Sequence, residues 1–488
     1  AYDAVGNLVA ISDADNAQRP GEPDWGMTRY RYDARNLLIA EAFPAGLAGG
    51  RTLRLYGYDA IRRLTSRQVG LLAGGSTAVF PGITDPDPVL VQLTTSTAYG
   101  YDRANRLRTR SYTVGDGGTD TFTYDLDNRL LTAVSSRYGT TVTRDYDAAN
   151  RLLSEALTLD RGTLTPAGAV VPATWTVGYA YDDAHQLTSL TYPSAGTVTR
   201  TYTVRGELDV VRLDGAPVAD RGYDAGGRLT STVWGANIRT ETRTYATGDH
   251  QVATIAVPGV TGFTYAYDVN RRKTSETSSV LPADSQTFGY DDANRLTTWS
   301  QGAASQSWSL SRVGDWLSTT RDGITETRQH SAVHEATVLV RPDLGSPTLT
   351  YDVPGNLTRD ERVVSYAWDA ENRLRGAIIP IDASVTGFGA TAGYGYDALG
   401  RRVTVTVDGI ETISLHAGAQ VVETIRRAAL PVPILRLTPG RPSTATLGLG
   451  RRRRQTVGAD GAVLACDDER RTGQRKLPGN GEGRHGQA

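Results

Sequence analysis

The chain has 488 residues and a formal net charge of -1, from 52 Lys and Arg against 53 Asp and Glu. That balance argues against a nucleic-acid or anionic-membrane binder, because such proteins carry a visible basic excess. One cysteine, Cys466, excludes a disulfide framework and a cysteine-ligated zinc site, and no apolar run approaches the roughly 18–20 residues of a membrane-spanning helix. The residue usage is uneven, with 24 Tyr against 6 Phe, 53 Gly, and lysine only at Lys273 and Lys476. An arginine excess of this kind follows from a GC-rich bacterial genome. The chain opens Ala-Tyr-Asp with no signal peptide, as expected of a fragment or processed product.

From the first residues onward one motif recurs. Tyr-Asp, or once Trp-Asp, stands at Tyr2, Tyr32, Tyr58, Tyr101, Tyr124, Tyr146, Tyr181, Tyr223, Tyr267, Tyr290, Tyr351, Trp368 and Tyr396. With the aromatic at position 0, position +4 is Gly or Asn in most copies and position +6 is Leu in nearly all. The best-kept copies place Tyr101, Asp102, Asn105 and Leu107; Tyr124, Asp125, Asn128 and Leu130; Tyr146, Asp147, Asn150 and Leu152 at these positions. Later copies repeat it with Tyr223, Asp224, Gly227 and Leu229; Tyr290, Asp291, Asn294 and Leu296; and Tyr396, Asp397 and Gly400. Adjacent copies lie about 21–23 residues apart, the period of a repeat architecture. Worn copies fill the wider gaps: Tyr202, Tyr245, a step near Trp308, and His330-Ser-Ala-Val-His-Glu-Ala. The longer step from Tyr146 to Tyr181 implies an insertion near 162–172.

Each unit reads as a strand, a tight turn and a returning strand. Position -2 is usually aromatic, as in Tyr99/Tyr101 and Phe122/Tyr124, and residues two apart share one face of a strand. Thr and Val between the copies add β-propensity. The Asp accepts backbone N–H bonds and starts an Asx-type turn. Gly or Asn at +4 suits a left-handed backbone, and Leu at +6 opens the return strand toward the core. A unit this short cannot bury its own apolar face, so neighbours stack into a continuous antiparallel sheet. The expected fold class is all-β, a Tyr-Asp β-hairpin ribbon that curves as it twists.

The pattern Tyr-Asp-x-x-Gly/Asn-Arg-Leu at this period resembles the YD repeats of bacterial RHS (rearrangement hotspot) proteins, shared by toxin-complex shell proteins and teneurins. Tyr396-Asp-Ala-Leu-Gly-Arg-Arg-Val followed by Leu415-His-Ala-Gly-Ala-Gln-Val-Val-Glu is similar to a late segment of that core. The resemblance covers residues 1–425 and implies a ribbon spiralling into a partly hollow β-shell. It further implies a secreted or bacterial cell-surface protein whose shell isolates a C-terminal toxin or other cargo polypeptide. The alternative is adhesion: exposed Tyr and Trp could stack on sugars and make the repeats a carbohydrate- or cell-surface-binding module.

After Tyr396 the aromatic residues stop. Residues 426–488 carry 12 Arg and one Lys against five acidic residues, so a tail of +8 offsets a body of -9. Rich in Arg, Gly and Pro, this stretch is expected to be disordered or a non-native continuation. It matches neither the closing RHS segment with its autoproteolytic aspartates nor a toxin domain, so no catalytic residue is carried over. The remaining motifs have bland readings. His330-x-x-x-His334-Glu335 is a worn repeat and not a zinc motif, and the Asp-rich turns lack the acid spacing of a calcium loop. Gly387-x-Gly389 and Gly448-x-Gly450 are isolated glycines, and Arg451–Arg454 is a solvated run. No enzyme activity, cofactor, metal or nucleic-acid partner is expected. The named turn and ladder residues are expected to act structurally.

Overall fold

The computed structural model describes residues 1–12, 27–45, 51–72, 90–164, 170–194, 196–248, 250–342, 347–380 and 389–428. Among these residues are 35 β-strands, one 3-10 turn at Pro282–Asp284 and no α-helix. Each strand pairs antiparallel with the next in the chain, giving a meander of 27 strands followed by one of 8. The two sheets adjoin at an isolated bridge between Val338 and Thr348. All described residues belong to a compact unit of Ala1–Val432.

Two kinds of turn alternate along the ribbon. At one edge lie the Tyr-Asp turns. In each the Asp N–H bonds the carbonyl of the +5 residue and the +4 N–H bonds the Asp carbonyl, as Asp102 does with Arg106 and Asn105 at 2.9 and 3.1 Å. Residue +4 sits at positive φ: 65° at Asn105, Asn150 and His334, 63° at Asn294 and 77° at Gly227. This is a type I turn closed by a left-handed residue, which adds a bulge and strengthens the local twist. The bulge recurs beside each aromatic, for instance between Asp145 and Tyr146 or Gly289 and Tyr290. At the other edge are short connecting turns, including Asp214-Gly215, Asp322-Gly323 and Asp408-Gly409 with both residues at positive φ. Asp-Gly in that conformation matches the twist of a two-residue hairpin.

The worn copies at His330 and Tyr202 form the same turn, with Ser331 N–H on Glu335 O at 2.8 Å and Thr203 N–H on Glu207 O at 2.9 Å, whereas the turn after Tyr245 is one residue longer and closes from Ala246 N–H to Gln251 O at 2.7 Å. The step near Trp308 is shifted by two residues: Leu310 occupies position 0 and Ser311 replaces the Asp. Alternation explains the misplacement, because Trp308 is the position -2 aromatic on the same face. The wide step from Tyr146 to Tyr181 is made by lengthening one hairpin, whose strands run Leu152–Leu164 and Val170–Tyr181. The final strand, Gln420–Ala428, runs past residue 425. Residues 429–488, which hold nearly all of the basic tail, lie outside the described residues.

The main apolar core is local. Phe122, Ala133, Val142, Leu157 and Leu159 from the first sheet pack with Ala398, Val403, Ile413 and Leu415 from the second. A smaller cluster joins Ala40, Ala42 and Leu53. Leu107 and Leu130 pack on the main cluster, whereas Leu296, also at +6, is 37% exposed. The +6 leucine is therefore a core residue only where a second layer lies over it.

Candidate functional site

The repeat turn is a self-contained polar unit. Asp102 Oδ1 accepts the N–H groups of Ala104 and Arg106, both at 2.9 Å, and its Oδ2 accepts Arg106 Nε at 2.7 Å. Asp147, Asp224 and Asp291 hold the same three bonds, and Asp125 and Asp397 differ only in distance. In Asp102, Asp147, Asp224 and Asp291 the backbone N–H of the +5 arginine is the main reason the carboxyl sits below its ordinary range.

Two side chains, the +5 arginine and the position-0 tyrosine, join successive turns. The Arg106 guanidinium reaches forward, donating to Asp125 O at 2.7 Å and Asn128 Oδ1 at 3.0 Å, and lies 4.8 Å over the Tyr124 ring. Arg129 does the same to Asp147 O, Asn150 Oδ1 and the Tyr146 ring. In the reverse direction the Tyr124 hydroxyl donates to Leu107 O at 3.0 Å, Tyr146 to Leu130 O, Tyr223 to Leu208 O and Tyr290 to Lys273 O. Tyr101 donates to Leu64 O and Tyr396 to Leu374 O. At position 0 of its copy Trp368 keeps the rung through Nε1, 2.8 Å from Leu357 O.

The +5 arginine stands in the repeat pattern, but its role as the link to the next turn was not read from the sequence. Its near-constant place after Asn or Gly was the available signal. Where it is displaced, chemistry compensates: Arg35 at +3 bonds Asp33 and reaches Asp59 O, and Asn356 at +5 bonds Asp352 and Asn372.

A second site, absent from the motif, is a seam where the late ribbon meets the early ribbon. The contacts advance together along both stretches. Thr52 Oγ1 donates to Val353 O at 2.6 Å, Arg67 pairs with Glu371 at 3.3 Å, and Arg110 donates to Ala398 O at 3.0 Å. Arg401 then pairs with Glu155 at 2.6 Å, and Ser194 N–H bonds Glu423 at 3.4 Å. At its centre the Arg137 side chain, 2% exposed, faces Asp116, Asp120 and Asp369 at 3.1, 3.4 and 3.7 Å. Arg137 also lies 3.5 Å from the Tyr112 ring centroid, and Tyr138 Oη donates to Asp369 at 2.8 Å. Arg110 and Arg373 balance the remaining acidic charge. The Asp369 carboxyl is held below its ordinary range: burial opposes this, and the Arg373 side chain and backbone N–H outweigh it. A strand signal for this site did exist. Asp120 is four residues before Tyr124 and so places a charge on the aromatic face, where only a buried counter-charge can hold it.

These arrangements are built to hold backbone to backbone. Among the described residues no group of three His, Cys, Asp or Glu side chains is placed to bind a metal. His334 Nδ1 instead meets Asp315 Oδ2 at 2.9 Å within the repeat pattern.

Comparison with known proteins agrees with the motif. Residues 2–48 match the RHS repeat family model. A curated protein of Dickeya dadantii, named a probable deoxyribonuclease RhsB, is 26% identical over 327 residues, covering 62% of this chain and 19% of that protein. Among solved structures, a Tc holotoxin pore of Photorhabdus luminescens superposes with a TM-score of 0.44 at 14% identity, over 83% of this chain and 25% of the other. A TcdB2-TccC3 structure lacking its hypervariable C-terminal region gives a TM-score of 0.42 at 14% identity, over 88% and 26%. The chain thus spans about a fifth to a quarter of the length of these proteins. The recurring Tyr-Asp turns, the family-model match over residues 2–48 and the RhsB alignment together support an RHS/YD-repeat protein.

Proposed function

We propose that this chain is a wall segment of a toxin-associated RHS shell, exported from or displayed on a bacterial cell, that isolates a cargo polypeptide from solvent and proteases. The observation that carries this reading is the seam. Between the strand holding Arg110 and the turn holding Ala398 the ribbon passes through about 25 strand spacings of roughly 4.8 Å, about 120 Å of sheet. Over much of that length, from Tyr202 to Val340, its described apolar side chains are mostly half-buried or exposed, and Ala219, Ala332 and Leu339 alone are buried. A sheet that meets itself while leaving its middle unpacked suits a wall around a space better than a solid domain.

Adhesion through sugar stacking would need free aromatic faces. The repeat tyrosines instead spend their hydroxyls on neighbouring carbonyls, and arginines cover rings such as Tyr101, Tyr245 and Tyr290. The experiment is to fuse a protease-sensitive, weakly folded reporter to the C-terminus of the full chain and follow its digestion. Under the proposal the reporter survives far longer than when free, and a glycan array stays silent. Digestion at the free rate would sink the cargo reading, and binding lost on Trp234→Ala or Trp316→Ala would favour adhesion.

A further inference from the structure

The seam brings together the two opposite edges of the ribbon. Late Tyr-Asp turns supply one edge: Ala370 N–H bonds Asp116, and Ala398 O accepts Arg110. Early connecting turns supply the other, through Asp116, Arg137 and Tyr138. Position +2 of the repeat records whether a turn tip is docked. Ala370 and Ala398 are buried at 4% and 2%, whereas Leu126, Val204 and Val269 at the same position are fully exposed.

The opposite edge shows the matching contrast. Where it is covered, Ser135 and Thr140 beside the 136–139 turn are buried. Beyond the last seam contact, at Ser194, the same edge carries exposed apolar side chains at Trp234, Ile238, Val260, Leu281, Ile324 and Val340. Exposed apolar side chains thus recur at connecting turn after connecting turn along one rim, as at an interaction surface. The rim continues the surface that the seam already uses, and the exposed tips are equivalent to those that dock there.

We propose that this rim is a self-association surface: a second copy of the chain seats its Tyr-Asp turn tips, Leu126, Val204 and Val269, on the rim that runs from Trp234 to Val340. The contact joins two different surfaces, so each copy keeps one free tip edge and one free rim, and assembly does not stop at two. Every side chain invoked is exposed and takes no part in the turn bonds or the seam, so its substitution leaves the backbone bonds of the unit in place.

Sedimentation velocity on the full chain, from low to high micromolar, tests this. Wild type is expected to grow in mass with concentration past the dimer. A tip variant, Leu126→Asp with Val269→Asp, and a rim variant, Trp234→Asp with Ile238→Asp, should each weaken association by about tenfold or more. Mixed together, the two variants keep one intact tip edge and one intact rim between them, and should form a one-to-one dimer and nothing larger. Far-UV circular dichroism and thermal melting check that each variant is folded; if one is not, Leu126→Ser or Ile238→Ser replaces it. A wild type of constant mass would overturn the proposal, whether because the rim stays bare or because another partner covers it. So would variants that associate like wild type, or a mixture no better than either variant alone. None of these outcomes depends on whether a cargo is enclosed.

Discussion

The stretch from Leu107 to Leu159 and the stretch from Tyr202 to Val340 are built from the same repeat, yet they bury different things. In the first, a returning layer covers the aromatic face, and Phe122, Val142, Leu157 and Leu159 become core while Asp120 and Glu155 become buried charges. In the second the same positions hold a half-buried ion pair, Arg243 with Glu241, and a pair of half-buried Arg328 with buried Glu326, with no second layer's charges added to either. The lesson is that the motif specifies a ribbon and its rungs, whereas burial is conferred by whatever meets the ribbon later. Stability should therefore be uneven along a chain whose local pairing is uniform.

The sharpest way to break this comparison is to remove Arg137. Arg137→Met leaves buried Asp116 without its cation, while Asp120 and Asp369 keep Arg110 and Arg373, and should cost about 3–5 kcal/mol, whereas Arg243→Met in the single-layer stretch should cost about 1 kcal/mol or less. Equal midpoint shifts in denaturant titrations would show that the seam holds no more than a surface pair. Next, Ile413→Ala, at a side chain with no exposure, should cost about 2–5 kcal/mol, against a much smaller loss for half-buried Ile255→Ala. In the turns, Asn150→Val forces a β-branched residue to a φ of 65° and should cost about 1–3 kcal/mol, with Asp147→Ala adding to the loss. An unchanged melting temperature would count against the turn geometry. Tyr290→Phe removes one rung bond and should cost about 0.5–1.5 kcal/mol in either region.

A pH titration sharpens the same contrast with the smallest effect. Burial, aided by the Arg401 charge, pushes the His416 imidazole below its ordinary 6.5. The unfolded chain then binds a proton at higher pH than the folded chain does. Stability at the seam should fall as pH drops below 6.5, levelling once His416 itself protonates. His416→Gln should flatten that slope, and a slope surviving the substitution would place its origin elsewhere. The turn aspartates, with carboxyls held low, act in a more acidic window, losing their contribution only as pH falls below 3.8 toward their folded values.

Most of the ribbon was legible in the sequence because its rules are local. Asn or Gly at +4 answers a steric demand at one residue, and the Asp at +1 bonds groups two and four residues away. Alternation around Tyr99 and Tyr101 fixes which side chains share a face. Even His330, with no Tyr or Asp, kept enough spacing to be placed. The step at Leu310 was misplaced because a strand face repeats every two residues, so Trp308 and Leu310 are interchangeable by alternation alone. The seam was not legible for a different reason. Arg137 and Asp369 are separated by more than two hundred residues, and nothing in either neighbourhood encodes how many strands lie between them. The forward reach of the +5 arginine stood between these extremes: its position was visible, but its second partner is in the next repeat.

The Tyr-to-carbonyl rung has a consequence for how such a chain can change. Its acceptor is main chain, so the rung is indifferent to which side chain the acceptor residue bears: Leu, Val252, Lys273 and Ala336 all serve. Units can thus be exchanged, duplicated or lost by recombination without rewriting their neighbours, since each new unit finds the one contact it needs on any predecessor. The seam sets the limit on that freedom. Inserting a single unit between Glu155 and Asp369 would carry every late turn one step past its partner, so the number of units is under selection even where the identity of each is not.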